Sequence, residues 1–180
     1  MPAPAECIIR QNIILHQLKI HNHNEQFGGK GEYKQFNHCN YYFKIYDKAK
    51  QYELDRHVLR IEIKHKNNKS FNPMRVYRLH DLKSKKCLQN LFKDLLKRFD
   101  ELTIVDNVLA ETKITKKDKI QLETYLSYNF WEKLSGRDNR NRKPKEKLEF
   151  HRLLVKNDLL KTKTFLRASL ILKFEELLNS

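Results

Sequence analysis

The stretch from Tyr41 to Lys66, YYFKIYDKAKQYELDRHVLRIEIKHK, limits the fold more than any other part of the chain. From Tyr41 to Asp47 the residues alternate, with Phe43 and Ile45 pointing one way and Tyr42, Lys44 and Tyr46 the other. Val58 to Lys64 alternates too, placing Leu59, Ile61 and Ile63 on one face and Arg60, Glu62 and Lys64 opposite. Two such runs around a short polar connection predict a pair of strands. One face then joins a core, and the other gathers Lys44, Tyr46, Arg60, Glu62 and Lys64. A carboxylate flanked by cations on a rigid sheet can hold a metal ion or a phosphate. The plainer reading is the wet side of a half-exposed sheet.

On either side the texture differs. Residues 8–20, IIRQNIILHQLKI, have an ambiguous period and are read as a strand. EQFGGKGEYKQF holds three of the four glycines and marks a turn, without the GK[ST] of a nucleotide-binding loop. After Lys66, KNNKSFNP reads as a loop closed by Pro73. From Val76 onward apolar residues recur at helical spacing. Leu79, Leu82, Leu88, Leu91, Phe92, Leu95, Leu96 and Phe99 predict one or two amphipathic helices running to about Arg98. LTIVDNVL (102–109) reads as an edge strand or a buried connection. Thr115 is the expected N-cap of a helix reaching about Leu134, with Asp118 in its first turn. SGRDNRNRKPKEK (135–147) reads as a basic loop, followed by helices over roughly Lys145–Asn157 and Lys161–Leu178. The class is therefore α+β: a small antiparallel sheet in the N-terminal third (1–70), then a basic helical part (71–180).

Charge narrows the partner. The chain carries 37 Lys and Arg against 22 Asp and Glu, a formal charge of +15. Such an excess accumulates on polyanions by neutralising phosphates and releasing counterions, so nucleic acid, with DNA favoured, is the expected partner. With 39% hydrophobic residues the chain is not a disordered basic tail. Cys7, Cys39 and Cys87 form no CxxC pair, and reduced thiols in a cytoplasmic protein account for them. No signal-peptide pattern opens the sequence, and no apolar run approaches the roughly 20 residues that cross a bilayer.

Three groups of residues could carry chemistry. His21 and His23 lie two apart in KIHNHN, so on a strand both rings share a side, as in nucleases that hold one divalent cation. Ordinary loop histidines are the alternative. Tyr125 and Tyr128 lie three apart in LETYLSYNFW; on one helix they are neighbours, and a tyrosine hydroxyl can attack a DNA phosphodiester. The alternative is aromatic core with hydroxyls at the rim. Glu62 is the carboxylate best placed for a metal, with Asp47 at the end of the neighbouring strand, although strict alternation turns Asp47 toward Phe43 and Ile45. A salt bridge to Arg60 or Lys44 competes for Glu62. In the basic loop, Arg137, Arg140, Arg142, Lys143 and Lys145 are candidate phosphate contacts, against the reading of a solvated linker.

The segments IYDK (45–48) and LRIEIK (59–64) together resemble the YDK … R-x-E signature of phage and plasmid rolling-circle replication initiators, the gene II-like proteins. The resemblance implies adjacent strands of a nuclease sheet and a metal-dependent DNA nicking and joining activity. It places roles on Tyr46, Asp47 and Lys48 in the first strand and on Arg60 and Glu62 in the second. It also implies a divalent cation, Mg or Mn, at or beside Glu62. On this reading Lys44, Lys48, Arg60 and Lys64 line the DNA. The chain would correspond to the C-terminal portion of an initiator, complete in activity or a truncated remnant, with a protein partner supplying the missing nuclease portion. The alternative class is a non-enzymatic basic adaptor that binds a protein partner or RNA.

Overall fold

The structure is a computed structural model that describes residues 5–19, 32–107 and 114–179. Its first apolar run divides between two elements instead of forming one strand. Ala5–Gln11 is helix α1, which buries Ile8 and Ile9, and Ile13–His16 is strand β1. Asn12 separates them by donating its side-chain amide to the Ile8 carbonyl at 3.0 Å, satisfying an acceptor that a helix end leaves open. The chain then reverses through Gln17 and Leu18, both at positive φ, 51° and 60°. His16 and Lys19 exchange both backbone hydrogen bonds across this turn at 3.0 Å. A left-handed backbone costs a non-glycine residue about 1–2 kcal/mol; burial of Leu18 in the core offsets it.

Tyr33–Asn37 (β2), Tyr41–Asp47 (β3) and Leu59–His65 (β4) form an antiparallel sheet in the order β2-β3-β4. The predicted alternation sets its register, with Phe43 opposite Phe36 and Ile63, and Ile45 opposite Ile61. Asp47 ends β3 and caps the short helix α2 (Lys48–Gln51), accepting the Lys50 N–H at 3.0 Å. Asn68–Met74 and Leu79–Lys83 are 3₁₀ turns, and α3 runs from Lys85 to Asp100. Leu79 thus lies outside the helix that its spacing suggested, and it is 86% exposed.

Leu102–Val105 is strand β5, buried and antiparallel to β1, with Ile14 opposite Ile104. The two-stranded ribbon partitions the core. Ile14, Leu102 and Ile104 join Ile9, Phe36, Phe43, Ile45, Phe99 and Leu166 on one side. Leu15 and Val105 join Leu122, Tyr125, Trp131, Phe150 and Leu154 on the other.

Thr115 caps a helix as expected, its hydroxyl accepting the Asp118 N–H at 3.2 Å. That helix, α4 (Lys116–Leu126), stops at Ser127, whose extended backbone starts a separate helix α5 (Tyr128–Lys133). The basic loop is shorter than its polarity predicted. After a 3₁₀ turn at Arg137–Asn139, α6 (Arg142–Lys156) begins, with Pro144 inside its first turn, where no intrahelical donor is required. Lys161–Asn179 is α7. The class is α+β, antiparallel strands followed by mostly helical structure. No helix among the described residues is long and apolar enough to cross a membrane.

Candidate nucleic-acid interface

The pleat that buries Phe43 and Ile45 turns nine polar or aromatic residues to the other side of the sheet. Pairing arranges them in three rows: Tyr33, Tyr46 and Arg60; Gln35, Lys44 and Glu62; Asn37, Tyr42 and Lys64. None of the nine belongs to the two core clusters, although Tyr46 is buried, 6% exposed. Along β2 the Tyr33 hydroxyl donates to Gln35, and the Gln35 amide donates to Asn37 Oδ1 at 2.6 Å. Cations sit on the tyrosine rings at the border: Lys66 Nζ lies 4.6 Å from the Tyr42 ring centre, and Lys48 Nζ lies 3.4 Å from that of Tyr52.

Glu62 stands at the centre of β4, directly across from Lys44. Its Oε2 accepts the Tyr46 hydroxyl at 3.0 Å and lies 3.4 Å from Arg60 Nε. Burial, reinforced by the Glu62 hydrogen bond and charge, pushes the Tyr46 hydroxyl up to about 12. Glu62 remains partly open, its side chain 28% exposed. The cationic and aromatic companions expected around it are therefore assembled on one face.

Of the expected metal ligands, Glu62 and Asp47 are not brought together. Asp47 lies on the opposite face of the sheet, 3% exposed, with its carboxylate engaged as the α2 cap. Alternation required this, and no bulge re-aims it. His21 and His23 lie outside the described residues. Among the described residues no group of three or more His, Cys, Asp or Glu could hold a metal ion. The described residues alone assemble no divalent-cation ligand set around Glu62.

Tyr125 and Tyr128 fall on different helices because of the break at Ser127. Tyr125 is 3% exposed, packed against Trp131, Phe130 and Phe150, and donates to Glu146 Oε2 at 2.9 Å. It is a core residue with a satisfied hydroxyl. Tyr128 is half-buried, its hydroxyl 3.4 Å from Glu132 Oε1. Arg137 and Arg140 are exposed around the 3₁₀ turn; Arg142, Lys143 and Lys145 lie in the first turn of α6. Arg142 pairs with Glu146 at 3.1 Å, and Lys143 Nζ donates to Ser135 Oγ at 3.3 Å.

A polar cluster that spacing did not reveal lies between β1, β3, β4 and α3. His16 is fully buried, its ring 4.6 Å from His38 and stacked on Phe43 at 4.7 Å. His38 stacks on Tyr41 at 4.5 Å, and the Arg98 guanidinium lies 4.7 Å over the Tyr41 ring. His65 approaches Asp94 at 3.5 Å, and Arg98 joins Asp94 to Glu101. His16 Nε2 meets the Arg98 carbonyl at 3.0 Å. A carbonyl only accepts, so the neutral ring carries its proton on Nε2. Burial, with His38 adding to it, pushes His16 down to about 4. Burial lowers His38 and His65 as well. The cluster is a neutral-histidine brace, and its members lie too far apart in sequence to show as a motif. Comparison of the chain with known protein families, with curated proteins and with solved structures gives no match.

Proposed function

We propose that this protein binds DNA, with single strands laid across the polar face of β2–β3–β4, and that its kinship is with the rolling-circle replication initiators of phages and plasmids. The supporting observation is the three-row face itself. Tyr33 and Tyr42 offer partly open rings on which bases can stack, and Lys44, Arg60 and Lys64 are spaced along the same surface to meet phosphates. The formal charge of +15 adds attraction that is independent of base sequence. The antiparallel pairing of the IYDK and LRIEIK strands, with Lys44 opposite Glu62, supports the initiator kinship. The protein would act in the cytoplasm. DNA nicking remains the catalytic extension of this reading, and the described residues assemble no ligand set that would support it.

Fluorescence anisotropy with a labelled single-stranded oligonucleotide tests the binding face. Stacking contributes about 1–3 kcal/mol per base, so Tyr33→Ala with Tyr42→Ala should weaken binding by at least tenfold. Unchanged affinity would remove the sheet face from the proposal. Incubation of supercoiled plasmid with Mg²⁺ or Mn²⁺ tests the extension: nicking lost in Glu62→Gln, with binding retained, would establish it, and nicking that survives the substitution would exclude Glu62.

A second reading, an adaptor for a protein partner, rests on a different surface. Tyr77 and Leu79, 70% and 86% exposed, border a groove of about 410 Å³ lined also by Phe71, Val76, Leu82 and Leu91. That reading expects no measurable nucleic-acid affinity near physiological salt.

A further inference from the structure

A second concave surface lies away from the sheet face, where β1, α6 and α7 converge. It is a cleft of about 540 Å³. Lys19 enters it from the turn after β1, Lys143 and Lys147 from successive turns of α6, and Lys163 from the start of α7. The i,i+4 spacing of Lys143 and Lys147 places both on one side of α6. The left-handed turn at Gln17–Leu18 fixes the direction from which Lys19 arrives. Four lysines from three separate elements thus line one cavity. The Lys143 ammonium also donates to Ser135 Oγ at 3.3 Å and that of Lys163 to the Asp100 carbonyl at 3.0 Å, both neutral acceptors that add no counter-charge.

Counter-charge is scarce there. Among the described residues the only carboxylate lining the cleft is Glu101, and it is already engaged by Arg98 at 3.2 Å and by the Gln17 amide at 2.8 Å. The apolar wall includes Phe150 and Leu160, and charges beside such a wall are screened less than in bulk water. Lys143 and Lys163 register the burial and crowding of this arrangement. Burial lowers the Lys143 ammonium, and Lys147 and Lys19 lower it further. Burial lowers Lys163 too, against a raising influence from Asp100. Like charges held together beside an apolar wall are relieved by an anion seated among them.

We propose that this cleft is a phosphate-binding site, in which Lys19, Lys143, Lys147 and Lys163 close on the oxyanions of a phosphorylated ligand. The phosphate can belong to the end of a nucleic-acid strand or to a free nucleotide; both present the same oxyanions. The site does not depend on the sheet face, so its test uses a probe with no bases to stack.

Isothermal titration of the full chain with pyrophosphate should give saturable binding at one site per chain. Lys147→Gln combined with Lys163→Gln should weaken it at least tenfold. Lys86→Ala with Lys93→Ala, which removes the same charge from exposed positions on α3, should leave it within twofold. In the unsubstituted protein, pyrophosphate should also protect Lys143 and Lys147 from acetylation, a readout independent of how the variants fold. Competition then identifies the source. A 5′-phosphorylated oligonucleotide that displaces pyrophosphate better than its 5′-hydroxyl counterpart assigns the cleft to strand ends, and stronger displacement by a nucleoside triphosphate assigns it to free nucleotides. Absence of saturable binding, or equal weakening in the cleft and α3 variants, would overturn the proposal. Loss of DNA binding through the Tyr33 and Tyr42 substitutions would leave pyrophosphate binding unchanged.

Discussion

The hydroxyl of Tyr46 donates to Oε2 of Glu62 at 3.0 Å, reaching diagonally across the β3–β4 pair while Lys44 occupies the position directly opposite that carboxylate. Diagonal neighbours in an antiparallel pair are within reach of a long aromatic side chain. Arg60, on the same strand as Glu62, approaches the same oxygen at 3.4 Å. The carboxylate is thus oriented by a phenol and a guanidinium before any ligand arrives. Tyr46→Phe should cost about 0.5–1.5 kcal/mol in urea denaturation, the ordinary value of one hydrogen bond. In Glu62→Gln, ultraviolet titration should find the Tyr46 hydroxyl ionising at lower pH than in the parent, while burial still keeps it above a free tyrosine. An unaltered titration would mean that the pair is not formed.

Acid should destabilise the protein through the histidine brace. His16 ionises near 6.5 when unfolded and near 4 when folded, so the unfolded chain binds more protons between those values. Its contribution is present in full above about pH 6.5 and is lost as pH falls through 4. The amount is on the order of 3 kcal/mol, and the lowered His38 and His65 act in the same direction. His16→Phe, beside the Phe43 ring, should flatten this part of the stability profile while costing the bond to the Arg98 carbonyl at neutral pH. A parent protein equally stable at pH 4 and pH 7 would contradict the assignment.

Replacing Arg137, Arg140 and Arg142 with Ala should reduce the salt dependence of single-stranded DNA binding by about 0.7 for each phosphate left without its cation. Arg142 should contribute least, since it already holds Glu146 at 3.1 Å. A plot of log affinity against log salt gives the slope directly. An unchanged slope would show that this segment does not touch phosphates.

Thr115→Ala should destabilise by about 1 kcal/mol, because the hydroxyl that accepts the Asp118 N–H would be gone. Thr115→Ser should restore most of the stability. Thermal unfolding of the two variants beside the parent measures both effects.

The elements legible in sequence are those whose information is local. Alternation in Tyr41–Asp47 and Leu59–His65 carried both strands and their facing, because a two-residue period assigns each side chain to one side. Thr115 was legible as a cap because its partner lies three residues ahead. Local texture also misled. Low hydrophobicity across 135–147 concealed the start of α6, where Pro144 is tolerated and Lys and Glu favour helix. Continuous apolar spacing concealed the break at Ser127. The histidine brace was illegible for a different reason: His16 meets a carbonyl 82 residues away, and no spacing rule spans such a distance. The lysine cleft likewise needs three elements to be folded before its charges adjoin.

The pairing of β1 with β5 has a consequence for the order of folding. β2, β3 and β4 follow one another closely and can zip up from neighbouring contacts, whereas Ile13 must find Val105 across the whole of α3 and the sheet. Until it does, Leu102, Ile104 and Val105 offer an apolar edge with nothing bonded to it, a ready template for another chain. A truncated chain lacking residues 5–16 should therefore aggregate through β5.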